Sequence, residues 1–292
     1  MNEFKNFHPV VLFSYFLFII AFTCFFLHPV SLAISITGGF VYSVMLKGRH
    51  TIKKKLLYMI PALLLMALIN PAFNHEGVTI LTYLPGGNPL TLESILYGLA
   101  SAAMIIGVIL HFSSFNEVMT SDKFIYLFGK VIPALSLVFS MVLRFVPMFG
   151  KQIKNVADSQ RCVGRDVSDG GIIKRAKNGL AILSVMVTRS LENAIDTSDS
   201  MKSRGYGLPG RTAFSIFTFS GRDRNVLLCI FALSAFIILG GVMGKLRFVC
   251  FPAIELAEPS FFGISVFAAY FVLAALPVII EICEVRRWKS TK

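Results

Sequence analysis

The sequence predicts an all-α, polytopic membrane protein, with about six transmembrane helices plus long amphipathic helices on the cytoplasmic face. Three observations carry that reading. Of 292 residues, 55% are hydrophobic and only 15% charged, where a soluble domain carries about 25% charged residues. The apolar residues come in runs of about 20, the length that crosses a hydrocarbon core of about 30 Å. Between these runs lies a basic, helix-patterned block, Leu143 to Arg211, without a span of its own. In this setting the net charge of +12 points to topology and anionic headgroups, and argues for no nucleic acid partner. Cys24, Cys162, Cys229, Cys250 and Cys283 are scattered without a CxxC pair, and the histidines show no HxxxH spacing. Neither a disulfide framework nor a metal site follows.

Taken in order, Val10–Leu27 reads as a first, uncleaved span. It is longer than a signal-peptide core, Lys5 is offset by Glu3, and no A-x-A site follows. His28-Pro29 breaks the chain, because proline fixes φ and removes a donor. Val30–Leu46 is the second span, with Gly38-Gly39 either a flexible point or a close helix contact. Lys47, Arg49, His50, Lys53, Lys54 and Lys55 form a dense basic loop. The positive-inside rule makes it cytoplasmic and places the N-terminus inside. Leu56–Ile69, or a little beyond, is the third span, with Pro61 near its start. Asn70–Pro89, rich in Gly and Pro with no Lys or Arg, reads as an external loop of turns. Leu90–Phe112 is the fourth span. Its Gly98/Ala102 and Ala103/Gly107 pairs let backbones approach closely, either within the chain or against another membrane subunit.

Ser113–Lys123 is polar and returns inside. Phe124–Phe149 is apolar but interrupted by Lys130, Pro133, Arg144 and Pro147. An arginine at the bilayer centre costs about 2.5–3.5 kcal/mol. A helix at the cytoplasmic interface, with Arg144 snorkelling, therefore fits better than a clean span. A helix from about Pro147 to Gly164 then aligns Val156, Gln160 and Val163. A second, from about Gly179 to Ser203, aligns Leu180, Leu183, Val187, Leu191, Ala194, Ser198 and Met201, with Glu192, Asp196 and Asp199 opposite. Ser168-Asp169-Gly170-Gly171 separates the two, and glycine followed by proline ends the second after Ser203. Asn225–Val242 and Phe261–Cys283 are the last spans, before the basic tail Arg286, Arg287, Lys289 and Lys292. The chain thus divides into residues 1–112 with about four spans, 113–225 at the cytoplasmic face, and 226–292 with about two spans and the tail.

Catalytic chemistry is not legible. Gly205-x-Gly207-x-x-Gly210 matches a dinucleotide fingerprint only in its letters, since it follows a helix and contains a proline. Gly244-Lys245 lacks the remainder of a Walker A loop. Glu93, Glu281 and Glu284 sit near span ends, where solvated or headgroup-level carboxylates are ordinary. An intramembrane enzyme or a proton-coupled carrier would bury ionisable residues in its spans, and spans one to four hold almost none. The positive signal is a recurring Arg–Gly neighbourhood, Gln160-Arg161-Cys162-Val163-Gly164-Arg165 and Lys202-Ser203-Arg204-Gly205, each at a helix end. Arginine's fork of donors suits a carboxylate, and glycine lets another backbone approach. The plainer reading of the Arg204 site is a C-cap glycine preceded by a dipole-favoured arginine.

These residues, with Arg144-Phe145-Val146-Pro147, Ala157-Asp158-Ser159-Gln160 and Ser200-Met201-Lys202-Ser203-Arg204-Gly205-Tyr206-Gly207, resemble the transmembrane T component of energy-coupling factor (ECF) transporters. His8-Pro9 is similar to that family's approach to its first span. The resemblance implies a non-enzymatic subunit of a bacterial importer for a vitamin or a metal ion such as cobalt or nickel. It implies two cytoplasmic coupling helices, each ending in an Ala-Arg-Gly signature that docks into one of two ABC ATPase subunits, in a homo- or heterodimer. ATP is bound by those partners, so the resemblance implies no cofactor in this chain. A membrane-embedded S component holds the substrate, with Gly98, Ala102, Ala103 and Gly107 as its docking candidates. The ATPase-coupling residues are Ser203, Arg204 and Gly205 at one signature and Arg161, Gly164 and Arg165 at the other, supported by Gln160, Arg144 and Pro147. Serine replaces alanine at the second signature, and Val163 stands where the first signature's arginine belongs. Arg161 and Arg165 flank it, each about 100° per residue out of phase, and either can substitute. An ordinary ABC permease would need a Glu-Ala-Ala…Gly loop, which Leu191-Glu192-Asn193-Ala194 matches poorly. A secondary transporter would need internal repeats, which are not found.

Overall fold

The first two helices start in the same way. In α1 (Pro9–Phe25) and α2 (Pro29–Lys47) a proline takes the first turn, where its missing N–H costs nothing. The histidine before it caps the helix. Nδ1 of His8 accepts from the Val10 amide and Nδ1 of His28 from that of Val30, both at 3.3 Å. The computed structural model describes residues 3–74, 76–83, 89–129, 133–206, 208, 217–251, 254–256 and 260–290. A 3₁₀ turn, Glu3–Asn6, leads in. After α2 come α3 (Arg49–Phe73), α4 (Leu92–Val118), α5 (Ser121–Gly129), α6 (Pro133–Cys162), α7 (Ile172–Ser203), α8 (Gly221–Val242) and α9 (Phe261–Ser290). Two short antiparallel pairs interrupt them, β1 (Ile80–Tyr83) with β2 (Pro89–Thr91) and β3 (Phe248–Val249) with β4 (Glu255–Leu256).

The chain forms two units, residues 1–124 with 217–292, and residues 125–216. In the first, α2, α4, α8 and the Phe261–Glu284 part of α9 are long and apolar enough to cross a bilayer, and α1 and Met59–Phe73 are shorter apolar helices. The chain is therefore an all-α, multi-pass membrane protein. Its interior is aromatic around α1, where the rings of Tyr15 and Tyr42 meet Phe4 edge-on and Phe16 meets Tyr15. The glycine pair of α2 is a close contact, since a Cβ on Gly38 would stand 2.9 Å from that of Ala274 on α9. Some polar side chains between the helices satisfy one another, as interhelical hydrogen bonds do in lipid. Thr23 Oγ1 meets Ser35 Oγ at 2.6 Å, and Ser35 Oγ meets His111 Nε2 at 3.1 Å.

Several expected boundaries move. The basic residues 49–55 are the first turns of α3 and not a loop. Gly48, at φ 77°, stops α2, and lysine is a good helix former once a new helix has begun. The stretch 70–89 is only partly turns, because α3 continues to Phe73 and β1 pairs with β2. Helix α4 runs on from Phe112 to Val118, its Ser114 held by Ser43 at 3.1 Å. The region 124–149 is split between α5 and α6, and α6 passes unbroken through Arg144 and Pro147. One proline withdraws one backbone donor, which a long helix survives. Lys130 lies outside the described residues. Helix α7 starts at Ile172, earlier than Gly179. Glu93 and Glu281 are not solvated but buried, Glu93 accepting from the amide and hydroxyl of Thr79 and Glu281 from the Glu3 amide.

Candidate coupling surface

The second unit is built on α6 and α7, joined by residues 163–171. They touch where Val156 meets Ile182 and Met186, with Phe149, Ala157 and Val185 packed around. The predicted α7 stripe is not the one buried. Leu180, Leu183, Val187 and Leu191 remain 51–65% exposed. Both stripes are apolar, and Ile182 lies about 160° round the helix from Leu180. Periodicity finds apolar faces but cannot rank two of them. Along α6, Val138, Phe139, Val142 and Val146 are also exposed.

Both helices end in the same hydrogen-bonded turn. At the end of α6, the Arg165 amide donates to the Gln160 carbonyl at 2.9 Å and the Gly164 amide to that of Arg161 at 3.0 Å, with Gly164 at φ 75°. At the end of α7, the Tyr206 amide donates to Met201 at 3.0 Å and the Gly205 amide to Lys202 at 2.9 Å, with Gly205 at φ 78°. This is the Schellman arrangement, in which a left-handed glycine closes the last carbonyls. Aligned on these bonds, Val163 occupies the position of Arg204, Arg161 that of Lys202, and Arg165 that of Tyr206. The turn alone is not diagnostic. Gly244 closes α8 behind Met243 with the same two bonds.

The two ends differ in what surrounds them. Behind α6, Arg161 Nε pairs with Asp166 Oδ2 at 2.9 Å and the Ser168 amide donates to Asp166 Oδ1 at 2.9 Å. Arg175 Nε donates to the Val167 carbonyl at 2.9 Å, and Asn178 Nδ2 to that of Asp166 at 2.7 Å. The hydrogen bonds from Ser168, with Arg161 adding to them, hold the Asp166 carboxyl below its usual range. This braced segment keeps Val163, Ile172 and Ile173 outward, at 73%, 86% and 87% exposure. Arg165 is exposed and makes no ion pair among the described residues. At the end of α7, Arg204 is exposed and likewise unpaired among the described residues, next to half-exposed Tyr206. Ser203 Oγ turns back to the Ser200 carbonyl at 3.0 Å. Gly207 and Gly210 lie outside the described residues.

The structure brings Arg161, Gly164 and Arg165 together at one tip and Ser203, Arg204 and Gly205 at the other. Gln160 sits at the first tip, its Oε1, like that of Gln152, shielded and without a hydrogen-bond partner among the described residues. Arg144 and Pro147 are exposed further back on α6 and reach neither tip. The small residues of α4 are used within the first unit. A Cβ on Gly98 would stand 2.9 Å from the Ala67 carbonyl, and one on Gly107 3.0 Å from Thr23 Cγ2. Ala102 is buried and Ala103 half-buried. Sequence reasoning missed Asp166, Arg175 and Asn178. The available signal was Asp166-x-Ser168, an Asx-turn pattern placed just past a helix end.

Comparison with known proteins gives the same direction. A family model described as "Cobalt transport protein" (CbiQ) matches residues 3–216. An energy-coupling factor transporter transmembrane protein EcfT of Lactobacillus helveticus is 39% identical over 118 residues, which is 40% of this chain and 40% of that protein. The protein of the same name from Brevibacillus brevis is 28% identical over 225 residues, 71% of this chain and 83% of the relative. That from Acidaminococcus fermentans is 28% identical over 162 residues, 51% of this chain and 60% of the relative. The match to the first of these thus spans less than half of its length. Because the family model covers most of the sequence, from the first helix through both Schellman tips, the chain belongs to the CbiQ family of cobalt transport proteins.

Proposed function

We propose that this chain is the transmembrane coupling (T) subunit of an ECF-type ABC importer in a bacterial cytoplasmic membrane. In this reading both termini are cytoplasmic. Two ATPase subunits bind and hydrolyse ATP, and the chain passes their movement to a membrane-embedded S component that carries a vitamin or a metal ion. The chain itself performs no chemistry and holds no cofactor.

One observation carries the reading. Two long helices in one unit end in the same glycine turn, and each turn exposes a guanidinium without an ion-pair partner among the described residues. Helix α7, at 32 residues, is about 48 Å long at a rise of 1.5 Å per residue, a length that would set Arg204 far from the Gly164 tip and let each meet its own ATPase subunit. Arg204 meets a carboxylate-bearing groove on one ATPase subunit. At the other tip Arg161 is held by Asp166, which leaves Arg165 as the stand-in for the arginine that Val163 replaces. A tip capped by arginine and a tip capped by valine, with its arginines to either side, ask for unlike grooves, and a heterodimeric ATPase pair would supply them. The exposed α7 stripe of Leu180, Leu183, Val187 and Leu191 offers the S component an apolar face.

The test is site-specific photocrosslinking in cells that express the chain with its ATPase subunits. A crosslinker at Ser203 captures one ATPase subunit, and one at Val163 captures the other. Capture of no ATPase from either position overturns the reading.

A further inference from the structure

The first unit contains a device at the two points where the chain leaves for residues 125–216 and returns from them. Three buried charged side chains from three helices converge on the backbone of one short segment, residues 3–8. Glu281 Oε2 on α9 accepts from the Glu3 amide at 2.9 Å, and Asp223 Oδ1 on α8 accepts from the His8 amide at 3.2 Å. Lys123 Nζ on α5 donates to the Lys5 carbonyl and, at 3.1 Å, to that of Val118, the last residue of α4. Lys123, Asp223 and Glu281 are 7%, 4% and 7% exposed.

Each of these bonds reaches main chain, so each fixes the path of the segment whatever its side chains are. The side chains fix it again. Phe4 and Phe7 are fully buried, the Arg222 guanidinium lies 4.2 Å over the Phe7 ring, and the His8 ring meets Phe219 edge-on at 5.1 Å. Arg222 also stands 3.6 Å from Glu284. A charge removed from water is costly even when hydrogen-bonded, and apolar residues of similar size would often serve stability better. Burial, with Lys5 nearby, pushes the Lys123 amine down to about 8. A fold that keeps three such groups on one six-residue segment is holding a geometry.

The geometry is specific. Lys123 comes just before residue 125, where the second unit begins, and Phe219 and Asp223 come just after residue 216, where it ends. One segment therefore touches both crossings. We infer that residues 3–8 form a clasp tying the outgoing and returning crossings into one body, with Lys123, Asp223 and Glu281 as its positioning residues. Its consequence for transport rests on the coupling role proposed above. A force received by residues 125–216 enters the first unit at both crossings at once, and neither yields separately.

Amide hydrogen exchange on the full chain in detergent tests the clasp without any partner. In Lys123→Met, exchange rises about tenfold in segments 118–126 and 217–224 together, the size expected for one lost charge-assisted bond. The second segment responds although the substitution touches only the first. Glu281→Leu raises both segments in the same way, and Glu281→Gln, which keeps the acceptor, leaves both as they were. A response confined to the mutated segment, or none, overturns the clasp. If Lys123→Met does not purify as a single species, Lys123→Gln, which keeps a donor, gives a smaller rise at both segments. Its failure to do so counts equally against the proposal. A second arm uses the complex with the ATPase subunits. ATP changes the exchange of α4 and α9 in the wild type, and Lys123→Met still co-purifies but loses that change. If the wild-type chain binds no ATPase, the coupling reading fails while the first arm still decides the clasp.

Discussion

The two helix ends at Gly164 and Gly205 share a backbone and differ in chemistry. Both use a left-handed glycine and the same pair of closing hydrogen bonds. Yet the residue just before the glycine is a solvent-facing valine in one and a solvent-facing arginine in the other. The first end is followed by a segment braced through Asp166, and the second has no such brace among the described residues. A Schellman turn is common property of helices, so the glycine reports where the rod stops. In the proposed role, what the rod would grip is set by the residue at the cap and by how firmly its neighbours are held. In the coupling role proposed above the ends are unequal, and perturbations should separate them.

The largest difference is expected from charge. Arg204→Glu turns an attraction into a like-charge contact worth about 3 kcal/mol, or roughly a hundredfold in affinity. ATPase subunits should then be lost from pull-downs of the chain. Normal recovery would mean that Arg204 does not face a carboxylate. At the first tip Arg165→Ala should weaken binding about tenfold, as loss of one interface arginine does, while Arg161→Ala changes it little. The reverse order, read by titration against purified ATPase, would make Arg161 the stand-in after all. Val163→Arg restores the symmetry of the two tips and should tighten binding at the first. Weaker binding would show that the partner groove there is shaped for an apolar residue.

A smaller effect tests the shared backbone. An alanine in the left-handed region costs about 1–2 kcal/mol, so Gly164→Ala and Gly205→Ala should each speed amide exchange in the last turn of their own helix. The cost should be larger at Gly205. An added Cβ there would stand 3.1 Å from Leu208 Cδ1, whereas Gly164 opens on empty space. Equal exchange in both variants would mean that Leu208 moves aside freely.

Much of this was legible in the sequence because it rests on local chemistry. Apolar runs and glycine stops depend on neighbours in the chain, and the runs of α1 and α2 and the stops at both tips stand close to where the sequence puts them, although α1 is shorter than a span. Tertiary choice was not legible. Leu180 and Ile182 belong to equally plausible stripes, and only the partner helix decides that Ile182 and Met186 are covered. Glu281 looked solvated because its position near a span end says nothing of a backbone amide arriving from residue 3. The basic run after Gly48 reads as a loop because charge marks topology, although lysines extend a helix as readily as they decorate a loop.

The smallest effect concerns Asp166, and it tests whether the first tip is held or merely folded. In the folded chain its carboxyl is stabilised in the charged form, chiefly by hydrogen bonds from Ser168 and then by Arg161. A group with a lowered folded pKa stabilises the fold at pH values above its unfolded value, about 3.9 for aspartate. That contribution is lost as pH falls through the lowered value, so the brace is intact at neutral pH and across mild acid. Protonation there releases Arg161, and Asp166→Asn should do the same at neutral pH. Arg161→Ala, nearly silent in the wild type, should then weaken ATPase binding measurably in the Asp166→Asn background, because a freed Arg161 shares the contact with Arg165. No such coupling is expected between Asp166 and Arg204, which lie at opposite ends of a helix of 32 residues. A double-mutant cycle that is additive for Arg161 and Asp166 would show that the ion pair orients nothing, and that the two tips differ only in the residue before the glycine.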